Sequence, residues 1–285
     1  MTKILVGVDT HGETTPPILT LLQRLDFPDP HLTLITVVPP AQTEGWHLSP
    51  LLGAADAERR ELKAITHAER RLSELMPNAK HRVLVGKPTA VILDEATKTD
   101  APIVGVNASN RGTLETFFAG SVARAVASAA PQSVLLARPS QKTGPIHAVL
   151  ATDHSDYAAQ CLESLIQLAP QGIAKLSVLT AFPESYADEI AEAALGSAVQ
   201  EVGQHCQGIV SKLQAHVGTP ETVFESHVLP GNARSVLSTF MTSSGADLLI
   251  LGAKGRGFVE RLALGSVSFD QAVGNYPWSV LILRA

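Results

Sequence analysis

The sequence predicts an α/β protein built from two tandem five-stranded, mostly parallel sheets with helices on both faces. Two observations support this prediction. One pattern occurs twice at a period near 144 residues, and in each copy short apolar runs alternate with longer stretches rich in alanine, leucine and glutamate. Strands that alternate with helices indicate βαβ units and hence parallel pairing. The runs are apolar almost throughout, as expected for strands covered on both sides.

Each predicted strand of the first copy has a counterpart in the second. KILVGVD at 3–9 returns as HAVLATD at 147–153, so that Asp9 and Asp153 end the first strand of each copy. The remaining pairs, in chain order, are 32–40 with 176–184, 81–88 with 226–233, 100–106 with 247–253, and 133–138 with 279–284. The stretches 50–76, 185–217 and 266–275 are predicted helices, because they have the length and composition of helices that pack on a sheet.

A polar segment with two prolines, ARPSQKTGP at 137–145, separates the copies. Such segments are typical of connections between folded units. We therefore predict two domains, at residues 1–141 and 145–285.

Composition excludes several classes of protein. The 285 residues are 45% apolar, which allows a sizeable core, and the formal charge of −5 argues against a broad nucleic-acid surface. The charge is unevenly divided, +1 over 1–143 and −6 over 144–285. No apolar run approaches a membrane span, and the first residues lack the features of a signal peptide. Cys161 and Cys206 have no metal-ligand or disulfide spacing, so a cytoplasmic protein without membrane or nucleic-acid partners is expected.

A glycine pattern is the strongest functional signal. Gly252-Ala-Lys-Gly255 follows the predicted strand at 248–251, and after nine further residues Gly265-Ser266 opens a predicted helix. Glycine allows a positive φ and a close approach to a ligand, and the free N–H groups of a helix start bind anions. If the first and fourth strands flank the point where the strand order reverses, Asp153 faces the same crevice and can accept hydrogen bonds from ribose. A nucleotide is the predicted ligand; the alternative is that the glycines only form turns.

These residues resemble the universal stress protein family in its tandem form, and the resemblance covers essentially the whole chain. It implies a fold related to the flavodoxin-like and adenine nucleotide alpha hydrolase-like arrangements, and binding of ATP, or else AMP or ADP, with or without Mg²⁺. It also implies that the last strands of the halves pair as an internal pseudo-dimer, which could pair again into a homodimer. The implied nucleotide-binding residues are Ala151, Thr152, Asp153, Ala181, Gly252, Lys254, Gly255, Gly265, Ser266, Val267 and Ser268.

The first half departs from the pattern. With Gly105 taken as the first glycine, Ala108 stands at the second position, and Gly120 follows it after eleven residues, where the second half has nine. The extra residues would include the bulky pair Phe117-Phe118. We therefore predict a degenerate first half that binds nucleotide weakly or not at all, with a loop that could fold into its own pocket.

Other candidate residues have simpler interpretations. Gly86-Lys87-Pro88 is interpreted as a strand end followed by a helix start, because proline occupies the position where a P-loop needs serine or threonine. Cys161 is expected in the core, and His154, directly after Asp153, is expected in solvent, with phosphate contact as the alternative. No catalytic triad, metal site or other catalytic residue is predicted.

The favoured function is therefore a cytoplasmic stress-response protein that binds ATP, AMP or ADP in its second domain and acts by regulation or binding with little turnover. Two alternatives stay open at this point. One is an enzyme that hydrolyses adenosine nucleotides or transfers an adenylyl group, and the other is a nucleotide-free dimeric scaffold.

Overall fold

The computed structural model describes residues 1–10, 14–40, 50–108, 120–182, 192–255 and 264–285. All statements below refer to these residues. They form an α/β protein with helices on both faces of a mostly parallel sheet, as the sequence predicts.

The first half contains five strands and four helices. In chain order they are β1 (Thr2–Gly7), α1 (Pro17–Leu25), β2 (Pro30–Val38), α2 (Pro50–Leu75), β3 (Lys80–Val85), α3 (Pro88–Lys98), β4 (Ile103–Asn107), α4 (Ser121–Ala129) and β5 (Ser133–Ala137).

The second half repeats this order. Its elements are β6 (Ile146–Ala151), α5 (Asp156–Leu168), β7 (Ile173–Phe182), α6 (Glu192–Gln214), β8 (Val223–Pro230), α7 (Ala233–Ser244), β9 (Leu248–Gly252), α8 (Ser266–Val273) and β10 (Ser279–Leu283). α5 is one turn longer at its N-terminal end than α1, with 13 residues against 9.

The two halves share one sheet. Its ten strands have the order β3-β2-β1-β4-β5-β10-β9-β6-β7-β8, so each half has the order 3-2-1-4-5 of a doubly wound sheet. The pairs within each half are parallel, whereas β5 and β10 pair antiparallel, with Leu136 opposite Val280 and Val134 opposite Ile282. The two predicted five-stranded sheets thus join into one continuous ten-stranded sheet, with a junction at its centre.

Two apolar cores lie on opposite faces of this sheet. One is formed with α1, α2, α5 and α6, and the other with α3, α4, α7 and α8. Both cores run through the junction, because buried side chains of both halves belong to each of them. No helix in the described part of the chain is long and apolar enough to cross a membrane.

Strand registers correct the alignment of the halves around β4. Val6 pairs with Gly105, whereas its counterpart Leu150 pairs with Ile250. Gly105 therefore lies within β4, and Asn107 ends this strand where Gly252 ends β9. The assignment of Gly105 as the first motif glycine was wrong, because apolar runs of similar composition can be aligned at more than one offset and only the pairing fixes the register.

Candidate functional site

The ends of β6 and β9 meet at the predicted switch point. β6 pairs with β7 on one side and β9 on the other, both parallel. A cavity of about 350 Å³ opens at their carboxyl ends. All eleven residues predicted from the sequence line it: Ala151, Thr152, Asp153, Ala181, Gly252, Lys254, Gly255, Gly265, Ser266, Val267 and Ser268. The structure thus gathers the whole predicted set in one place.

The N-terminus of α8 forms one wall of this cavity. Gly265 is the N-cap residue and provides no side-chain cap, and the first intrahelical bond is donated by Phe269 to the Gly265 carbonyl at 2.8 Å. The amides of Ser266, Val267 and Ser268 precede this bond and are the donors that a helix start leaves for an anion. Their direction and the helix dipole suit negative charge.

Two hydrogen bonds fix the start of α8 on the end of β9. The Ser268 hydroxyl donates to the Gly252 carbonyl at 2.7 Å, and the Gly265 amide donates to the Ala253 carbonyl at 2.8 Å. Ser268 is 4% exposed, so this serine positions the helix, whereas the exposed Ser266 has its hydroxyl available at the cavity.

Asp153 supplies the carboxylate of the cavity. Its Oδ1 accepts from the backbone amide of Ser155 at 3.1 Å and from the Ser155 hydroxyl at 2.7 Å, while Ser155 itself caps α5 through the Ala158 amide. Its Oδ2 faces Gly255, where a Cβ would lie 3.0 Å away. The carboxylate is therefore oriented by the helix start that follows it and lies against the glycine loop.

The three motif glycines are needed for the space that a missing side chain leaves, and not for an unusual backbone conformation. Gly252, Gly255 and Gly265 do not have a positive φ, so of the two properties of glycine considered in the sequence only close approach applies to them. At Gly255 a side chain would crowd the Asp153 carboxylate, and at Gly252 a Cβ would lie 3.3 Å from the Cys161 sulfur. Absence of a side chain keeps the space above β6 and β9 open.

Lys254, which lines the cavity, lies beside Tyr157 of α5. The Lys254 ammonium lies 5.4 Å from the centre of the Tyr157 ring, a cation–π arrangement. Burial raises the pKa of Tyr157 to about 12 and that of the Cys161 thiol to about 11. Both groups are neutral near pH 7, and Cys161 lies in the core as predicted.

Sequence reasoning missed the apolar walls of the cavity. They come from α5, β7, α7 and β9 and consist of Ala158, Leu179, Ala233, Leu237 and Leu251. It also missed Arg234, whose guanidinium donates to the Ser266 carbonyl at 3.1 Å. One sequence feature could have indicated these residues: α7 begins directly after β8, so its first turn lies at the same edge of the sheet.

The expectation that His154 lies in solvent is wrong, because its ring contacts other side chains. Its Nε2 lies 2.9 Å from the Thr180 hydroxyl and 3.8 Å from the Cys206 sulfur. The residue has a left-handed φ of 57° at the turn between β6 and α5. It lines a second cavity, next to α5 and α6, and not the cavity beside the glycine loop.

A smaller cavity, about 280 Å³, occupies the equivalent place in the first half and is lined by Asp9, Asn107, Gly120 and Ser121 among others. The Gly120 amide donates to the Ala108 carbonyl, as Gly265 does to Ala253, so Ala108 corresponds to Ala253 and not to the second motif glycine. That position falls on Asn110, outside the described residues, and nine residues separate it from Gly120. The predicted insertion is therefore wrong: the first half has asparagines at both glycine positions and the same spacing. The expectation that this loop occupies the pocket falls on 109–119, also outside the described residues.

Among the described residues, no group of three or more histidine, cysteine, aspartate or glutamate side chains could hold a metal ion. Among the described residues that line the second-half cavity, Asp153 is the only one with a carboxylate. The described lining thus offers hydrogen-bond donors to an anion at α8 and one acceptor at the end of β6.

A comparison to known families agrees with this fold. The model of the universal stress protein family matches residues 1–138 and again residues 147–284. The chain belongs to the universal stress protein family. No curated protein matches it in sequence.

Solved structures of universal stress proteins share the whole architecture. One from Archaeoglobus fulgidus DSM 4304 is 13% identical, covers 99% of this chain and 98% of its own, and has a TM-score of 0.61. A protein of unknown function from Pseudomonas aeruginosa PAO1 is also 13% identical, covers 99% and 92%, and has a TM-score of 0.56. A universal stress protein in complex with cAMP matches half of this chain at 22% identity, with a TM-score of 0.35. At these identities the likeness shows the fold alone.

Proposed function

We propose that this universal stress protein binds ATP, or else AMP or ADP, in the cavity of its second half. The observation that supports this most is the convergence of all eleven predicted residues on one cavity at the N-terminus of α8. The α8 amides and Ser266 would bind the phosphates, Asp153 would accept from the ribose hydroxyls, and the apolar walls with the backbone of Ala181 would hold the base. Backbone donors must do this work, because the half is acidic overall.

We further propose that the protein acts by binding, with little or no turnover, as a cytoplasmic stress-response regulator. The described lining holds no second carboxylate that could help to position Mg²⁺ or activate water. Mg²⁺ would then be carried by the phosphates. The resemblance of β5 and β10 to a dimer contact supports an internal pseudo-dimer, and pairing of two chains into a homodimer remains part of the proposal. Nucleotide occupancy would change the surface at α8 that a partner sees.

Titration calorimetry with ATP tests the binding proposal. Wild-type protein is expected to bind one ATP per chain, and Gly255→Val is expected to weaken binding at least tenfold, because its side chain would displace the Asp153 carboxylate. Ser266→Ala should weaken it several-fold through loss of one phosphate donor. Gly203→Val is the matched control, since a Cβ at Gly203 in α6 meets nothing within 4 Å and lies outside the cavity.

Equal ATP affinity in wild type and Gly255→Val would contradict the site. Phosphate release at ordinary enzyme rates, measured on the same samples, would contradict the proposal of binding without turnover. If the protein binds no adenine nucleotide at all, the result would instead support the alternative of a nucleotide-free dimeric scaffold.

A further inference from the structure

The second half contains another cavity, of about 360 Å³, on the opposite side of β6 from the glycine loop. It lies between α5 and α6, and its size falls in the range of roughly 300–1,000 Å³ typical of small-molecule sites. Its wall meets that of the nucleotide cavity at the end of β6, where Ala151, Thr152, Ala158 and Gly252 line both. The remaining residues of its lining belong to this cavity and not to the proposed nucleotide site.

Two features specific to the second half create the cavity. The first is the additional turn at the start of α5, which contributes Ala158 and Ala159. The second is Gly208 of α6, which lines the cavity without filling it.

The first half lacks both features. Both α1 and α5 are followed by a residue with a left-handed conformation, Asp26 and Ala169, so the two helices can be aligned at their C-terminal ends. In this alignment α1 lacks the first turn of α5. The sequence of α2 at 67–73, HAERRLS, corresponds to HCQGIVS at 205–211 in α6, so an arginine stands where α6 has Gly208. These two features are thus properties of the second half and not of the repeated fold.

The interior of this cavity is apolar. Its floor comes from β6, β10 and the facing sides of the two helices and consists of Leu150, Leu162, Ile209, Leu283 and Cys161. Burial raises the pKa of the Cys161 thiol to about 11, so that wall is uncharged near neutral pH. An apolar chain would therefore gain from leaving water for this space.

The polar side chains of the lining favour an anionic head group. No described residue of the lining is an acid, and its one charged side chain is Lys212 of α6. Gln204 and His205 add groups that can donate hydrogen bonds. Lys212 is 62% exposed and pairs with Glu163 of α5 at 3.6 Å, an exposed ion pair whose loss costs little.

We propose that this cavity binds a medium-chain carboxylate, with the carboxylate at Lys212 and the alkyl chain over the floor between α5 and α6. A carboxylate gains a charge-assisted hydrogen bond from the ammonium that a neutral head group does not. Each CH₂ buried should raise affinity roughly fourfold until the cavity is full. The site does not depend on nucleotide binding in the neighbouring cavity.

The test uses octanoate as the probe and titration calorimetry on the full chain. Octanoate is expected to bind wild-type protein at least tenfold more tightly than butanoate, because of the longer buried chain. Gly208→Leu is expected to weaken octanoate binding at least tenfold, since a Cβ at this position meets no atom within 4 Å and the side chain enters open space at the cavity. Gly203→Leu, in the same helix and equally uncrowded, lies outside the lining and should leave octanoate affinity unchanged.

The variant Lys212→Met distinguishes the contribution of the carboxylate to affinity from that of the alkyl chain. It should reduce octanoate affinity about fivefold and leave 1-octanol affinity unchanged, as expected for loss of a charged donor. Equal octanoate affinity in wild type and Gly208→Leu, or no octanoate binding to wild type at millimolar concentration, would overturn the proposal. An equal response of octanoate and octanol to Lys212→Met would overturn the carboxylate assignment.

Thermal melting and ATP titration of the same variants keep these outcomes interpretable. Both leucine variants should melt no lower than wild type, because glycine is replaced by a better helix former in uncrowded positions. ATP affinity should be the same in wild type and Gly208→Leu. A failure of ATP binding with octanoate binding retained would count against the nucleotide proposal alone.

Discussion

Ser266 and Ser268 begin the same helix and do different things. Ser268 is buried and its hydroxyl bonds the carbonyl of Gly252, which holds α8 on β9. Ser266 is exposed at the cavity, and its backbone carbonyl accepts from Arg234. The sequence showed two serines in one motif, but only burial and partners separate the serine that positions the helix from the one that can meet a ligand.

Alanine at Ser268 should therefore reduce mainly stability, and alanine at Ser266 should reduce mainly ATP binding. Ser268→Ala is expected to lower the free energy of unfolding by about 1 kcal/mol, because the Gly252 carbonyl loses its partner. Ser266→Ala should change it by less than about 0.5 kcal/mol, as is usual at an exposed position, while weakening ATP binding. Urea denaturation of both variants measures the difference, and a larger stability loss for Ser266→Ala would contradict these roles.

At the scale of elements, the end of β4 shows how the first half differs. Asn107 Oδ1 accepts from the backbone amide of Ile18 at 2.9 Å, near the start of α1. Pro16, the N-cap residue of α1, provides no side-chain hydrogen bond, so a residue from a distant strand satisfies this helix start. The asparagine that replaces the first motif glycine thus has a structural use, which supports the prediction that the first half has lost its nucleotide function.

Asn107→Ala is expected to destabilise the protein by about 1 kcal/mol, the usual cost of a lost cap. Asn107→Asp retains the acceptor and should keep most of the stability. Denaturant unfolding of the two variants provides the comparison. If the aspartate variant were as unstable as the alanine variant, the hydrogen bond to Ile18 would not be the cause.

For the whole molecule, two buried arginines join the halves. Arg138, which directly follows β5, is 2% exposed and donates to the carbonyls of Trp278, Gln271, Ala272 and Gly274 at 2.8–3.1 Å, at the C-terminal end of α8. Arg284, after β10, donates to the Ala127 carbonyl near the end of α4. A cation at a helix C-terminus is stabilising, so each half caps a helix of the other. Burial lowers the pKa of Arg138 to about 10, which still leaves it charged at pH 7.

Arg138→Met is expected to lower the free energy of unfolding by about 3 kcal/mol, because several buried carbonyls lose a charged donor at once. Arg138→Lys should recover only part of this loss, since an ammonium cannot reproduce the fork of the guanidinium. Arg70→Met in α2, where the side chain is 67% exposed, serves as the control and should be near neutral. Equal effects at Arg138 and Arg70, measured in urea, would contradict the role of Arg138 as a cap.

The strands, the helices and the glycine pattern could be predicted from the sequence because each depends on residues close together in the chain. The apolar runs, the helices between them, and the glycines that follow a strand and precede a helix are all read within short windows, and their repetition gives two halves and the candidate nucleotide residues. The offset of Gly105 was misread because neighbouring apolar residues look alike until hydrogen bonds fix their register.

Only the tertiary structure decided what depends on contacts between distant segments. The register of β5 against β10, the contact of His154 with Thr180, the arginine caps across the junction and the cavity between α5 and α6 each depend on residues far apart in the chain. Such contacts have no fixed spacing in sequence, because their geometry is set by how whole elements pack on the sheet.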